Sequence, residues 1–219
     1  MQTKIDHLVI TSPDLPRGVA AIERLLGVSL QPGGEHPRMG THNCLLRLGE
    51  EFYLEVIAVN PVLPAPNRPR WFGLDTLDQH SDTSLVTWVL QCSDIEEARR
   101  AAALPAGEIE PMSRGKLNWQ ITVPADGHLR WGGAHPQLIQ WEAQSPVSQM
   151  PYAGCCLNRL DIYTADNVAL DQLLSRLNFV GPVSVHALAA GTQAYVTAQI
   201  ETPAGLRVLG GPPKPPLCT

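Results

Sequence analysis

The sequence contains no apolar run approaching the roughly 18–20 residues that a membrane helix needs, so no membrane partner is expected. Charge is sparse: only 17% of residues are charged and the net charge is −5. Lys and Arg nowhere gather into a stripe, which argues against nucleic acid as a partner. No CxxC pair is present, so neither a zinc knuckle nor a thioredoxin-type motif is indicated. GxSxG is also missing and no Ser or Cys stands beside a base, which leaves a nucleophilic triad without support. Met1-Gln2-Thr3-Lys4 leads straight into a strand-like run, so a secretory leader is not expected. The five cysteines are odd in number, and four lie in or beside apolar runs. Reduced thiols in a cytoplasmic protein are the expectation, with a strained Cys155–Cys156 disulfide as the alternative.

What the chain does have is enough apolar residue, 44% of 219, for one or two well-packed domains. Ile5–Thr11 alternates as a strand does, with Ile5, His7 and Val9 on one face and Leu8 and Ile10 on the other. Ser12-Pro13-Asp14 then opens a helix with a stripe at Leu15, Val19, Ile22 and Leu26, which Gly27 stops. Strand-like runs follow near Val28–Gln31, Asn43–Leu48 and Phe52–Val59. The order returns at Leu85–Cys92, with a capping box at Ser93 and Glu96 and strand candidates at Glu108–Met112, Asn118–Val123, His128–Trp131 and Gln137–Trp141. It returns again from Leu157–Tyr163 through Leu170, Leu173, Leu174 and Leu177 to Val183–His186, Ala194–Ile200 and Leu206–Leu209.

Strand, helix and three strands, repeated, predict an α+β fold: βαβββ modules forming cupped mixed sheets with helices on the outer faces. Two modules (about 1–60 and 84–143) would make a domain over 1–145, and a third would span 154–210 before a Pro-rich tail, 211–219. The connection over 60–83 carries four prolines with Trp71, Phe72 and Leu74. It reads either as a strap plugging the edge of the core or as a lid over a site.

More specific features carry a family resemblance. Ile5-Asp6-His7-Leu8-Val9-Ile10 with Pro13-Asp14-Leu15, then Gly33-Gly34, His36-Pro37 and Met39-Gly40-Thr41-His42-Asn43, then Tyr53-Leu54-Glu55, resemble the first module of the glyoxalase-like family within the vicinal oxygen chelate superfamily. Leu129-Arg130-Trp131 and Leu138-Ile139-Gln140-Trp141 resemble the motifs that end its domain. The resemblance covers about Ile5–Glu142. It implies a cupped cleft that takes a small molecule, metal ligands on the first and last strands of paired modules, and self-association, with a homodimer as one assembly.

Carried over by position, the ligand places are His7, Glu55, Thr87 and Gln140. The resemblance therefore implies one divalent metal (Zn, Ni, Mn or Fe) on His7, Glu55 and Gln140, with Thr87 an unconvincing fourth. Without metal, a carboxylate beside an imidazole orients the ring and suits proton transfer next to a carbonyl, so His7 and Glu55 are the candidate catalytic pair. The alternative is a buried pair that only satisfies itself. Asn43 should face the cleft and donate to a substrate oxygen, or stabilise a turn. His42 lies at the strand mouth, reaching round or capping the loop. Arg130 would pair with an anionic group unless it is a solvated surface residue. Trp131 and Gln140 complete the candidate substrate contacts. The reading is a lyase, isomerase or dioxygenase acting on a carbonyl or vicinal-oxygen compound. The alternative is a non-catalytic binding protein similar to the bleomycin-resistance proteins.

Overall fold

The computed structural model describes residues 2–102, 106–143 and 145–213. In chain order the elements are β1 (Thr3–Thr11), α1 (Leu15–Leu26), β2 (Gln31–His36), β3 (Thr41–Leu48), β4 (Phe52–Val59), β5 (Ser84–Gln91), α2 (Ile95–Ala102), β6 (Glu108–Arg114), β7 (Leu117–Val123) and β8 (Gln137–Trp141). After these come β9 (Cys156–Thr164), α3 (Asn167–Arg176), β10 (Phe179–Val180), β11 (Val183–Ala187), β12 (Tyr195–Thr202) and β13 (Gly205–Gly210). The tail expected beyond Pro213 lies outside the described residues. Among those described, no helix is long and apolar enough to cross a membrane.

The first two repeats are wired alike. β1 runs parallel to β4 in one and β5 parallel to β8 in the other. They join where β1 pairs antiparallel with β5, giving the order β2-β3-β4-β1-β5-β8-β7-β6. The sheet twists as strands must and curls far enough for its two edges to meet: β2 approaches β6, and Arg38 pairs with Glu110 across the gap.

The convex face of this sheet carries Leu8, Ile10, Leu54, Val56, Trp88 and Leu90, packed under α1 and α2 in one core. Asp14 caps α1 by accepting from the Arg17 amide at 2.8 Å, and Gly27 ends it at φ 72. α2 starts one residue later than the Ser93 capping box implied: Asp94 accepts from the Glu97 amide at 2.8 Å. The concave face forms a second core, with Val9, Ile57, Val89, Met112, Trp119, Ile121 and Ile139.

The third unit also runs strand, helix, strands, but with four strands after the helix in place of three and with different wiring. Its first strand, β9, lies between β11 and β12 in a separate sheet ordered β11-β9-β12-β13, while β10 breaks away to pair with Thr3 and Lys4 of β1. Element order does not say which edge a returning strand joins, so sequence pattern could not distinguish the two arrangements. Leu160, Ile162, Val196, Ala198 and Ile200 turn this sheet's apolar face into the convex core. β12 and β13 rest on β5, β13 on α1, and α3 on α2. The unit therefore fills the convex side, opposite the cup.

The expected strand at His128–Trp131 is instead a loop leading into a helical turn, Arg130–Gly133, in which Trp131 and Gly132 have φ of 49 and 61. Gly133, at φ 98, lies against the bulge in β5: a Cβ there would stand 1.8 Å from the Val86 carbonyl oxygen. Gly133→Ala is expected to cost more than about 2 kcal/mol in urea unfolding. Gly115→Ala has open space around it and only a positive φ to oppose, so it should cost about 1 kcal/mol.

Candidate functional site

The cup's polar residues depend on a defect in β1. Between Ile5 and His7 the pairing with β5 slips, so that Asp6 is an extra residue on the strand. A bulge of this kind turns two consecutive side chains toward one face. Ile5 accordingly packs with Leu8 on the convex side, not with His7 and Val9 as strict alternation predicts. Asp6, fully buried, comes round beside His7, whose Nδ1–H donates to it at 2.6 Å. Trp141 Nε1–H donates to the other Asp6 oxygen at 2.8 Å, and the Tyr53 phenol also bonds this carboxylate.

The far side of the His7 ring faces a second carboxylate. His7 Nε2 stands 3.5 Å from Glu55 Oε2, longer than a good direct hydrogen bond. Asn43 Nδ2 donates to Glu55 Oε1, while Asn43 Oδ1 accepts from Arg114 Nη1 at 3.2 Å. Asp6, His7, Glu55, Asn43 and Arg114 thus form one polar line crossing β1, β4, β3 and β6. Tyr53 stacks on His7 with ring centroids 4.6 Å apart. Burial, then the charges of Asp6 and Glu55, push the Tyr53 phenol well above its usual range, so it stays a neutral donor.

Around this line stand His36, Trp71, Phe72, Trp119, Ile121, Ile139 and Trp141, which leave a cavity of about 20 Å³. That is room for roughly one water. The 60–83 connection does the closing: Trp71 and Phe72 are each 2% exposed, stacked on each other and pressed into the concave core. Phe72 at φ 58 and Gly73 at φ 68 make the tight turn that brings both rings inward. Arg68 pairs with Glu110, and the Gly73 amide bonds the Gly127 carbonyl at 2.9 Å, pinning the strap on either side.

His7, Asn43 and Glu55 are therefore brought together. The other sequence candidates are not. His42, in step with Leu46 and Leu48, turns to the convex side of β3. Arg130 forms a surface pair with Asp126 at 3.0 Å, and Trp131 packs on the convex core and His135. Gln140 lies between Ile139 and Trp141, which face the cup, so its own side chain points the opposite way. There its Oε1 accepts from the Ile95 amide at 2.8 Å and caps α2. Thr87 spends its hydroxyl on the Gly133 carbonyl at 3.0 Å.

The donor set implied by the resemblance is consequently not assembled, because both second-module members are committed elsewhere. Among the described residues no three His, Cys, Asp or Glu side chains converge as metal ligands. Cys44, Cys92, Cys155 and Cys156 are free thiols, and burial pushes Cys92 up to about 12.

Asp6, His36 and Arg114 are site residues that sequence reasoning did not find. Alternation hides Asp6 because a bulge leaves no mark in residue pattern. Extending the β6 alternation by two from Met112 would have placed Arg114 in the cup. His36 required β2 to continue through Gly33-Gly34, which reads as a loop.

A family model described as a glyoxalase-like domain matches residues 5–178, extending past Glu142 through α3. No curated protein matches the chain. Among solved structures, a hypothetical protein from Staphylococcus aureus is similar at TM-score 0.56 and 14% identity, over 95% of this chain and 86% of that one. A mutant 4-hydroxymandelate synthase from Streptomyces coelicolor aligns at TM-score 0.47 and 15% identity, over 93% of this chain and 60% of that one. Methylmalonyl-CoA epimerase from the same organism, in complex with 2-nitronate-propionyl-CoA, aligns at TM-score 0.42 and 16% identity, over 64% and 97%.

Two outcomes follow from the geometry. Gln140→Ala should lower stability by about 1 kcal/mol in urea unfolding, the scale of a lost helix cap, while leaving ligand binding in the cup unchanged. Burial, then the Arg114 charge, hold His36 down at about 3 against an ordinary 6.5. Unfolding therefore takes up a proton on His36 between these values, and its contribution to stability is present above 6.5 and lost as pH falls toward 3. Urea unfolding of His36→Phe at pH 7 and pH 5 should show a smaller acid loss than wild type, by up to about 1.4 kcal/mol per pH unit.

Proposed function

The chain belongs to the glyoxalase-like domain family, and on that footing we propose that its cup binds a small carbonyl compound and moves a proton at the carbon next to the carbonyl. The observation that carries the reading is the His7 imidazole held between two buried carboxylates. Nδ1–H is committed to Asp6, so Nε2 is the nitrogen that faces Glu55 Oε2. Glu55 takes the proton from the substrate carbon, the electron pair passing to the carbonyl oxygen as an enolate, and the proton is returned on the same face, to that carbon or by way of Nε2 to the neighbouring oxygen. His7 and Glu55 are the catalytic residues of this scheme, and Asp6 is a positioning residue that fixes the ring's tautomer. Asn43 holds the Glu55 carboxylate in place. Such chemistry is that of an isomerase or a lyase, in an aromatic pocket that excludes water and strengthens each polar contact.

The strap must swing outward to admit a substrate, since pockets for small molecules usually measure about 300 Å³ or more. Its polar ties at Arg68 and Gly73 set how readily it opens. A second reading, a protein that sequesters its ligand without chemistry, is favoured by one observation, the diversion of Gln140 and Thr87 to structural bonds.

Proton exchange separates the two. Small 2-oxo acids and aldehydes incubated with the protein in D2O should exchange the hydrogen beside the carbonyl, followed by NMR. Glu55→Gln and His7→Phe should each slow exchange by about 10²–10⁴-fold. Exchange that persists undiminished in both variants would sink the catalytic reading, and a ligand bound and released without exchange would establish the second.

A further inference from the structure

We propose that Arg114 and Trp71 form a carboxylate-reading pair in the wall of the cup, so that the ligand is a small organic acid with a flat apolar body. This deepens the reading above and rests on the cup being the ligand site, not on proton transfer taking place there.

Trp71 is 2% exposed, lines the cavity, and its Nε1–H has no acceptor among the described residues. A buried donor left unpaired is destabilising, and a ligand oxygen would satisfy it. Arg114 lines the same cavity and spends one N–H on the neutral amide of Asn43. None of the ion pairs among the described residues engages it. The nearby carboxylates do not compete for it: Asp6 already accepts from His7, Trp141 and Tyr53, and Glu55 accepts from Asn43.

The edge strand is shaped to let the arginine in. A Cβ on Gly34 would stand 2.6 Å from Arg114 Cδ, and one on Gly33 would stand 2.0 Å from Asn43 Oδ1. Both glycines leave room for the Arg114–Asn43 contact. Arg114 also borders an open outer cleft with Gly115 and Lys116. A planar carboxylate matches the guanidinium fork. The indole and phenyl walls of Trp119, Trp141 and Phe72 suit a flat apolar remainder. Phosphate is disfavoured, since its further oxygens and second charge ask for more donors than these two residues offer.

The test titrates the full chain with benzoate and with its neutral analogue benzamide, by calorimetry and tryptophan fluorescence. Benzoate should bind at least about tenfold more tightly than benzamide. Arg114→Gln should remove that preference, Arg114→Lys should restore part of it, and Trp71→Phe should weaken both ligands about fivefold. Thermal melts show whether each variant is folded, and the unmutated chain provides the comparison that needs no variant. Equal affinity for the two ligands overturns the proposal, as does benzoate binding indifferent to Arg114→Gln; the unpaired indole would then hold only a water. Absence of saturable benzoate binding overturns it too. Arg114-dependent benzoate binding without carbon-bound proton exchange would leave this proposal standing and remove the catalytic reading alone.

Discussion

Asp6 lies fully buried in the middle of a nine-stranded sheet, and the arrangement of the cup follows from how that charge is satisfied. A buried carboxylate without partners is prohibitive. Here one oxygen takes the His7 ring and the other the Trp141 indole, contributed by the two paired modules. The bond between β1 and β8 ties the two modules together. It also commits Nδ1 of His7 as a donor, so the reactive side of the ring is Nε2. The bulge at Asp6 is what makes this possible, and it trades one regular ladder position for a polar centre that spans both modules.

From that centre the polar line runs outward through Glu55 and Asn43 to Arg114, on the edge hairpin of the second module. Each residue is buried or half-buried and each is held by its neighbour. The line is therefore sensitive to sheet curvature: Arg114 reaches Asn43 only because β2 and β6, the two free edges, have closed on each other. The Arg38 and Arg68 pairs to Glu110 secure the same seam and attach the strap to it. Closure of the edges, the position of Arg114 and coverage by Trp71 and Phe72 thus meet at one seam.

The third unit works on the opposite side. Its sheet covers apolar surface between α1 and α2 that would otherwise be exposed, and β10 adds two residues of pairing to the start of β1 just before the bulge. The strand carrying Asp6 and His7 is thereby held at its N-terminal end by a segment with no access to the cup. The family model's match takes in β9 and α3 of this unit and ends at residue 178, just before β10.

Residue pattern by itself determined much of the plan. The βαβββ order, the helices with their apolar stripes, and the inward direction of Asn43 and Glu55 all follow from periods of 2 and 3.6 in regular stretches. It placed His7 in the cup as well, although with the wrong companion, because Ile5 lies on the far side of a bulge. Tertiary structure decided the rest. Gln140 sits in a regular strand, but which face of β8 meets the cup depends on register against β7 and β5, and that register sends its amide to the first turn of α2. Arg130 and Trp131 lie where two positive-φ residues reverse the chain. Asp6 and Arg114 enter the site through a slipped pairing and a closed sheet edge, both of which are relations between strands distant in sequence, and composition along one strand carries no record of them.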